Sequence, residues 1–340
     1  MDNLTIDLRR FDEIPDALYT CAPTELESVL GGPSLFFVEG RQSSPLFVTV
    51  LQHGNEPTGF EAVQAILNKY RCQLLPRSMW LFIANVAAAK KRQRVLNGQT
   101  DYNRAWPGTL VPDSCEAKLM QQVVETVTAK PLFASIDLHN NTGTNPHYAC
   151  LNELDPPFLH LAASFARTTV YYRQPVGTQS LAMAKYCPAV TLECGKAGED
   201  AALDHAAEYL EACLHMQNLP DHALAKGGII LLKTQAIVKM KPGIDFGFDG
   251  TSEVRFRDDL DHFNFGVLNA GQWLADMTDC DQLPITATTD NGEDIAYDLF
   301  EIQNNRLITR NDIIPSMATL DVDIIKQDCL FYVMQEITAT

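Results

Sequence analysis

The sequence predicts an α/β protein in which a large domain of alternating strands and helices is followed by a smaller β-rich domain. Between residues 34 and 216, short apolar runs alternate with amphipathic windows, which is the pattern of strands joined by helical crossovers. From Lys226 onward, the helical windows give way to short β-rich runs broken by glycine, proline, aspartate and asparagine. The chain has 340 residues, enough for about two domains of roughly 150 residues each. We place these domains at residues 1–222 and 223–340.

The residues of the first domain predict a mainly parallel sheet. Leu46–Leu51 is almost wholly apolar, which is typical of a central strand buried on both faces. Strands that alternate with helices pair in parallel, because each crossover returns the chain to the same end of the sheet. In chain order, the predicted strands are Ser34–Glu39, Leu46–Leu51, Met79–Ala84, Phe133–Leu138, Thr168–Tyr172 and Ala189–Glu193.

The helices between these strands are predicted from apolar residues at three- and four-residue spacing. The first begins at Thr58-x-x-Glu61, which fits a capping box, and ends near Tyr70. The other helices are predicted over Ser114–Ala129, Pro157–Arg167 and Asp200–Met216. The strands predicted for the second domain are Ile229–Lys233, Ala236–Met240 and Leu330–Val333.

Composition narrows the class of protein. Lys and Arg number 26 against 43 Asp and Glu, which gives a formal charge of −17, and such a chain repels nucleic-acid phosphates and anionic membranes. The nine cysteines include no C-x-x-C pair, which favours a reducing compartment over a disulfide framework. The first residues are acidic rather than apolar, and Met79–Ala89 has about half the ~20 residues of a membrane span. We therefore expect a cytoplasmic protein without nucleic-acid or membrane partners.

Two strand ends carry residues typical of a metal site. His53 and Glu56 follow the strand Leu46–Leu51, and His139 ends the run Ser135-Ile-Asp-Leu-His139 of another strand. Two imidazoles and a carboxylate form a catalytic zinc set that leaves a fourth position for water. The carboxyl ends of strands are also where open α/β sheets bind their ligands. Side chains alternate along a strand, so Asp137 lies on the same face as His139. Its carboxylate can then hydrogen-bond the His139 nitrogen that faces away from the metal.

Two more groups of residues follow strands at this predicted crevice. Lys90-Lys-Arg-Gln-Arg94 and Asp101-Tyr-Asn-Arg104 place arginines on a loop of an otherwise acidic chain, which predicts a local site for a carboxylate. The strand Ala189–Glu193 ends in a carboxylate, which is costly to bury unless it is paired or functional. Glu193 is therefore a candidate general base for a zinc-bound water.

Taken together, four motifs resemble those of the succinylglutamate desuccinylase/aspartoacylase family, within the zinc carboxypeptidase superfamily. They are His53-Gly-Asn-Glu56-Pro, Asp101-Tyr-Asn-Arg104, Asp137-Leu-His139-Asn-Asn-Thr and Thr191-Leu-Glu193-Cys-Gly, in the family's order over roughly residues 45–215. The resemblance implies a three-layer α/β/α, zinc-carboxypeptidase-like domain with a mixed central sheet. It also implies a smaller C-terminal β-rich domain that overhangs the active site.

The family's metal and catalytic roles carry over to matching positions. The resemblance implies one Zn²⁺ per chain, bound by His53, Glu56 and His139. It implies that Glu193 activates the water and then protonates the leaving amine. Arg94 matches the arginine that stabilises the oxyanion, with Arg92 as the alternative because the stretch that follows is two residues longer than in the family.

The resemblance also implies a substrate site. Asn103 and Arg104 match the pair that binds the free carboxylate of the substrate, while Asp101 and Asp137 are expected to support the metal ligands from behind. One position departs from the family: the arginine that binds a side-chain carboxylate in aspartoacylases is replaced within Gln179–Tyr186, at Met183 or a neighbour. N-acetylaspartate is therefore not the expected substrate.

These observations predict a zinc-dependent hydrolase that cleaves the amide bond of an N-acyl amino acid or a similar small carboxylate-bearing amide. The partner is thus a small molecule, and a homo-oligomer is compatible with the sequence. A metallocarboxypeptidase acting on peptides would share the zinc site and the carboxylate-binding residues. A non-catalytic protein that binds zinc or a small ligand would not need the base Glu193 or the oxyanion donor Arg94.

Overall fold

The structure is a computed structural model that describes residues 6–141, 143–250, 252–278 and 282–338. The chain divides into two compact units, one formed by the residues up to Asn140 together with His147–Ile230, and the other by Asn141–Pro146 and the residues from Leu231 onward. Within the described ranges, no helix has the length and apolar character required to cross a lipid bilayer. The domain division at 222/223 stays a prediction.

The first unit alternates strands and helices. Its strands are β1 Arg9–Phe11, β2 Ser34–Val38, β3 Gly40–Val50, β4 Leu75–Ile83, β5 Ala134–Asn141, β6 Tyr148–Leu151, β7 Thr168–Tyr171 and β8 Ala189–Lys196. Its helices are α1 Leu26–Leu30, α2 Thr58–Lys69, α3 Val86–Lys91, α4 Cys115–Val127, α5 Pro156–Ala163, α6 Gln179–Met183 and α7 Asp200–His215.

The sheet of the first unit is large and mixed, with the strand order β1-β2-β4-β3-β5-β8-β6-β7. β3 pairs in parallel with both β4 and β5, whereas β2 is antiparallel to β4 and β6 is antiparallel to β8. The mixed sheet implied by the family resemblance is therefore confirmed, and so is its mainly parallel character, since β1 with β2 and β6 with β7 are also parallel pairs. The alternation rule fails where β2, which has only Glu39 between it and β3, lies on the far side of β4.

β3 positions the site because it is the buried centre of this sheet. Leu46–Val50 is buried, and the apolar core packs around it from both faces. Thr49 of β3 lies opposite Asp137 of β5 in the parallel register. The chain segments that follow these residues therefore leave the same end of the sheet, one carrying His53 and the other His139.

The beginning of α2 differs from the prediction. Thr58 is the first helical residue, and the N-cap residue, Pro57, makes no side-chain cap hydrogen bond. Instead, the backbone N–H of Thr58 donates to Oδ1 of Asn140 at 3.2 Å, and Nδ2 of Asn140 donates to Oγ1 of Thr58 at 2.9 Å. The capping-box prediction is wrong because an asparagine from the end of β5 caps the helix instead.

The second unit is mostly β. Its strands are β9 Ile230–Met240, β10 Phe246–Gly247, β11 Val254–Phe256, β12 Trp273–Met277, β13 Ile285–Thr288, β14 Phe300–Gln303, β15 Arg306–Thr309, β16 Ile314–Ser316 and β17 Phe331–Glu336, and its helices are α8 Ala296–Leu299 and α9 Val322–Gln327. β13, β9, β17 and β16 pair antiparallel in that order. A second, smaller sheet has the order β10-β11-β12-β15-β14, and buried side chains such as Phe256, Phe300 and Phe331 form this unit's own core. The mixed α/β fold class is confirmed.

Candidate metal centre

A tight turn between β3 and α2 presents His53 and Glu56. The backbone N–H of Glu56 donates to the carbonyl of His53 at 3.2 Å, which folds the two side chains toward each other. Gly54 lies directly against α3, since a Cβ at this position would be 2.1 Å from the backbone of Ala88. Any side chain at residue 54 would therefore push the turn, and both candidate ligands, away from the sheet.

Three buried side chains converge at this turn. Nδ1 of His53 lies 2.8 Å from Oε1 of Glu56, and Nδ1 of His139 lies 2.7 Å from Oε2 of the same carboxylate. One ligand atom from each residue falls within 4.8 Å of the others. Two imidazole nitrogens and a carboxylate at this spacing form a group that could hold a metal ion. In the described ranges, no other group of three or more His, Cys, Asp or Glu side chains has ligand atoms this close together.

Each imidazole has a second carboxylate on its far side. Nε2 of His53 lies 3.0 Å from Oδ1 of Asp101, and Nε2 of His139 lies 2.9 Å from Oδ2 of Asp137. An ionised carboxylate only accepts hydrogen bonds, so these contacts keep a proton on Nε2 and direct Nδ1 toward Glu56. Metal-binding histidines are held in the same way in metalloproteins, with the distal nitrogen donating to a carboxylate.

The electrostatics of this group favour a cation at its centre. Burial disfavours a charge on His139, but Asp137 and Glu56 outweigh it and raise the pKa of His139 well above its usual range. Burial likewise acts to raise the pKa of Glu56, and the two imidazoles overcome it and lower that pKa far below normal. Without a metal, a proton on Nδ1 of His139 therefore supplies the positive charge. A divalent ion bound there would displace it, so the residues fit such an ion.

Arg94 and Asp101 close the exposed side of the group. Nη1 of Arg94 lies 3.5 Å from Oε1 of Glu56, and Nη2 lies 3.3 Å from Oδ2 of Asp101. The Arg94 side chain is 42% exposed, so its guanidinium borders the ligand group and solvent at once. Of the two alternative arginines, Arg94 is the one with these contacts, whereas Arg92 ends α3 in a left-handed conformation with φ 52° and is exposed.

The basic run that ends at Arg94 is only partly the predicted loop. Its first two lysines belong to α3, and Lys90 pairs with Glu27 at 2.7 Å on the surface. These lysines are therefore part of a solvated helix end, and the carboxylate site predicted from the arginines stays a prediction.

Asn103 and Arg104 lie on a single 3₁₀ turn, Tyr102–Arg104. Asp101 caps the turn by accepting from the backbone N–H of Asn103 at 2.8 Å, so the carboxylate behind His53 also fixes this segment. Nη1 of Arg104 donates to the carbonyl of Asn103 at 2.8 Å. Both side chains are thus tied to the element that borders the candidate metal group.

Glu193 lies on β8, opposite Tyr148 of β6. Burial, together with the charges of Glu56 and Asp137, raises the pKa of the Glu193 carboxyl to about 8, against a smaller lowering effect of His139 and Arg94. In the sheet, β8 lies next to β5, so Glu193 is on the strand adjacent to the one that carries His139. Asn140 reinforces this arrangement, because its backbone N–H lies 3.4 Å from Oε2 of Glu56 and its Nδ2 donates to the carbonyl of Gly195.

The structure therefore brings all nine candidate residues to one end of the first unit's sheet. Sequence reasoning missed three neighbours that hold them there: Gln52, Trp106 and Asn140. Gln52 could have been noticed, because it is a polar residue immediately after the predicted apolar strand Leu46–Leu51. In the structure its side chain is fully buried. Trp106 and Asn140 act through contacts with residues far away in the chain, for which the sequence has no local pattern.

Comparison with known proteins agrees with this geometry. The family model of the succinylglutamate desuccinylase/aspartoacylase catalytic domain matches residues 45–218, just over half of the chain. No curated protein matches the chain.

Many solved structures share the fold. The succinylglutamate desuccinylase from Chromobacterium violaceum is 19% identical, covers 88% of this chain and 86% of its own, and has a TM-score of 0.59. Murine aminoacylase 3 is 18% identical, covers 88% of this chain and 97% of its own, and has a TM-score of 0.55. The succinylglutamate desuccinylase/aspartoacylase from Rhodobacter sphaeroides is 13% identical over 89% of both chains, with a TM-score of 0.59. The match of the family model establishes that this chain belongs to the succinylglutamate desuccinylase/aspartoacylase family.

Proposed function

We propose that the protein is a zinc-dependent hydrolase that cleaves the amide bond of an N-acyl amino acid. The observation that carries this proposal is the buried His53–Glu56–His139 group, with a carboxylate behind each imidazole and with Glu193 on β8, the strand next to the one that carries His139. Zinc bound by His53, Glu56 and His139 would polarise the scissile carbonyl and lower the pKa of a bound water toward ~7.

Glu193 supplies the proton transfers. Its carboxylate accepts a proton from the attacking water, and the resulting acid donates that proton to the leaving nitrogen, so the products are a carboxylic acid and an amino acid. A pKa of about 8 suits both roles, because a group whose pKa is near the working pH can be reloaded in either direction. A purely structural carboxylate would not need this unfavourable burial beside Glu56 and Asp137.

Two arginines provide the positive charge that the substrate needs. Arg94, which pairs with Glu56 and Asp101, stabilises in this proposal the oxyanion that develops on the carbonyl oxygen. One N–H of the Arg104 guanidinium donates to the carbonyl of Asn103. A guanidinium has five N–H donors, so two others can form a bidentate hydrogen bond with the α-carboxylate of the substrate. Asn103 supports that second interaction.

The preferred substrates are proposed to be neutral. Met183 and Gln179, within the segment where relatives carry a side-chain-binding arginine, are fully buried, and Met183 belongs to the apolar core. The cation of this segment, Lys185, is exposed, so a second carboxylate of the substrate would be desolvated at a cost unless Lys185 or Arg173 turned toward it. We therefore expect neutral N-acyl amino acids to be hydrolysed better than N-acetylaspartate or N-succinylglutamate.

The test combines metal analysis with a substrate panel. Purified protein reconstituted with zinc is assayed for metal content and for kcat/KM on N-acetyl amino acids, on N-acetylaspartate, on N-succinylglutamate and on short peptides. His139→Ala serves as the metal-site control and should abolish stoichiometric zinc. We expect one zinc per chain and a preference for neutral N-acyl amino acids. Stoichiometric zinc with no hydrolysis would favour a binding protein, and hydrolysis confined to peptides would favour a carboxypeptidase.

A further inference from the structure

Gln52 is a polar residue directly after the apolar run Leu46–Leu51. It lies two residues after the end of β3 and is fully buried, and a buried amide costs free energy unless its donors and acceptor are paired. Its Oε1 accepts from Nε1 of Trp106 at 2.6 Å. Its Nε2 donates to Oδ2 of Asp137 at 2.6 Å and lies 3.4 Å from Oδ1 of Asn103. A single side chain thus links the indole, the carboxylate behind a candidate metal ligand, and a candidate substrate-binding amide.

Trp106 determines which way this amide faces. An indole N–H can only donate, so the atom of Gln52 beside Trp106 has to be the oxygen. The NH₂ group of Gln52 then has to point toward Asp137 and Asn103, both of which offer it an oxygen. Trp106 is itself fully buried and packs edge-on against Phe47 and Phe82, which makes it a rigid anchor.

The position of Asp137 depends on two donors. Its Oδ2 accepts from Nε2 of His139 at 2.9 Å and from Gln52. Its Oδ1 is buried without a hydrogen-bond partner among the described residues. Because His139 belongs to the ligand group itself, Gln52 is the donor that ties the carboxylate to the scaffold. Without it, Asp137 could rotate, and the imidazole of His139 would lose the partner that directs Nδ1 toward Glu56.

Asn103 is held by the same amide. Its Oδ1 lies 3.4 Å from Nε2 of Gln52 and accepts from the backbone N–H of Gln179 at 3.3 Å, and its Nδ2 lies 3.4 Å from Nε2 of His139. A change at Gln52 therefore reaches Asn103 as well as the metal group.

We propose that Gln52 is a positioning residue that sets metal affinity and substrate affinity together, through Asp137 and Asn103 respectively. The inference rests on the proposed function, since it assumes that His139 binds the metal and that Asn103 contacts the substrate. It predicts that loss of the Gln52 amide lowers affinity for zinc, by at most the roughly 10-fold to 100-fold that follows from removing a direct partner of a ligand, because Gln52 acts one step further back, through Asp137. At saturating zinc, KM should still rise severalfold, with a smaller change in kcat.

The experiment uses the full chain and three variants. Gln52→Met keeps the size of the side chain but removes its hydrogen bonds. Trp106→Phe keeps Gln52 but removes the donor that orients it, so it should shift both properties in the same direction and by less. Gln64→Met is the matched control, since Nε2 of Gln64 also donates two hydrogen bonds, at 2.8 and 3.0 Å, but to the carbonyls of Leu18 and Cys21.

Three readouts separate positioning from a general loss of stability. Zinc affinity is measured by competition with a chromophoric chelator, the absorption spectrum of the Co²⁺-loaded protein reports ligand geometry, and kcat and KM are measured at saturating zinc. The inference is supported if Gln52→Met and Trp106→Phe alter affinity, spectrum and KM while Gln64→Met matches the wild type. It is overturned if Gln52→Met behaves like Gln64→Met in an active wild-type background.

Two other outcomes are also decisive. If circular dichroism shows that Gln52→Met does not fold, the Co²⁺ spectrum and KM of Trp106→Phe decide, and wild-type values for both overturn the inference. If the wild-type protein binds no zinc and hydrolyses no amide, the proposed function fails and the inference fails with it. An active wild type with an indifferent Gln52 overturns the inference alone.

Discussion

The raised pKa of Glu193 predicts that this residue destabilises the metal-free protein at alkaline pH. Its pKa is raised from 4.5 to about 8 by burial and by Glu56 and Asp137. The folded protein therefore holds a proton that the unfolded chain has lost at every pH between those two values. In that window the free energy of unfolding falls as pH rises, by at most about 1.4 kcal/mol per pH unit. This contribution is fully present below pH 4.5 and is lost as pH rises through about 8.

Glu193→Gln isolates this effect because glutamine resembles the protonated acid and does not titrate. Metal-free wild type and Glu193→Gln should be about equally stable near pH 5. At pH 8.5 the variant should be more stable, by on the order of 3 kcal/mol once the partial exposure of the carboxyl is allowed for. Urea unfolding of both proteins in a chelator, at half-unit steps of pH, measures the difference. Parallel stability curves for the two proteins would refute a raised pKa at Glu193 and, with it, the main argument for its role as a base.

Three further predictions concern the loaded enzyme. Zinc affinity of the wild type should fall as pH decreases, because the raised pKa of His139 means that a proton competes with the metal at Nδ1; isothermal titration at several pH values would show this, and a pH-independent affinity would contradict it. Glu193→Gln should retain zinc while its kcat falls by roughly 10²–10⁴-fold, and Arg94→Ala should retain zinc while its kcat falls by about 10²–10³-fold. Near-normal turnover in either variant removes that residue from the mechanism. Amidation of the substrate's α-carboxylate should sharply reduce kcat/KM of the wild type, because charge-assisted hydrogen bonds contribute about 1.5–3 kcal/mol each. In Arg104→Ala the same amidation should change kcat/KM little. An equal loss in both proteins would show that another residue binds the carboxylate.

The candidate ligands could be found in the sequence because their signals are local. His53 and Glu56 are three residues apart in one turn, and strand alternation relates Asp137 to His139. The fold then needs only the parallel pairing of β3 with β5 to bring the two halves together. A buried central strand is itself readable from a run of apolar residues, as at Leu46–Val50.

The supporting residues could not be found because their partners are remote. Trp106 and Gln52 are 54 positions apart, and Thr58 and Asn140 are 82 apart, so neither pair forms a periodic or short-range pattern. The capping box failed for the same reason, since a long-range donor and acceptor replaced the local one. The strands predicted at Ile229–Lys233 and Ala236–Met240 form one strand, β9, because pairing with β17 continues past the polar Thr234 with a shift of register.

Charge balance gives a physical reason for a divalent ion in this site. Four carboxylates and two imidazoles share the buried end of the sheet: Glu56, Asp101, Asp137, Glu193, His53 and His139. In the metal-free protein, Asp137 and Glu56 outweigh burial and raise the pKa of His139, whereas the pKa of Glu193 is raised mainly by burial. His139 has to lose its Nδ1 proton to bind a metal, and Glu193 has to lose its proton before it can accept one from water. The carboxylates that favour the proton on His139 would also favour a dication in its place, which is the electrostatic argument for the proposed metal site.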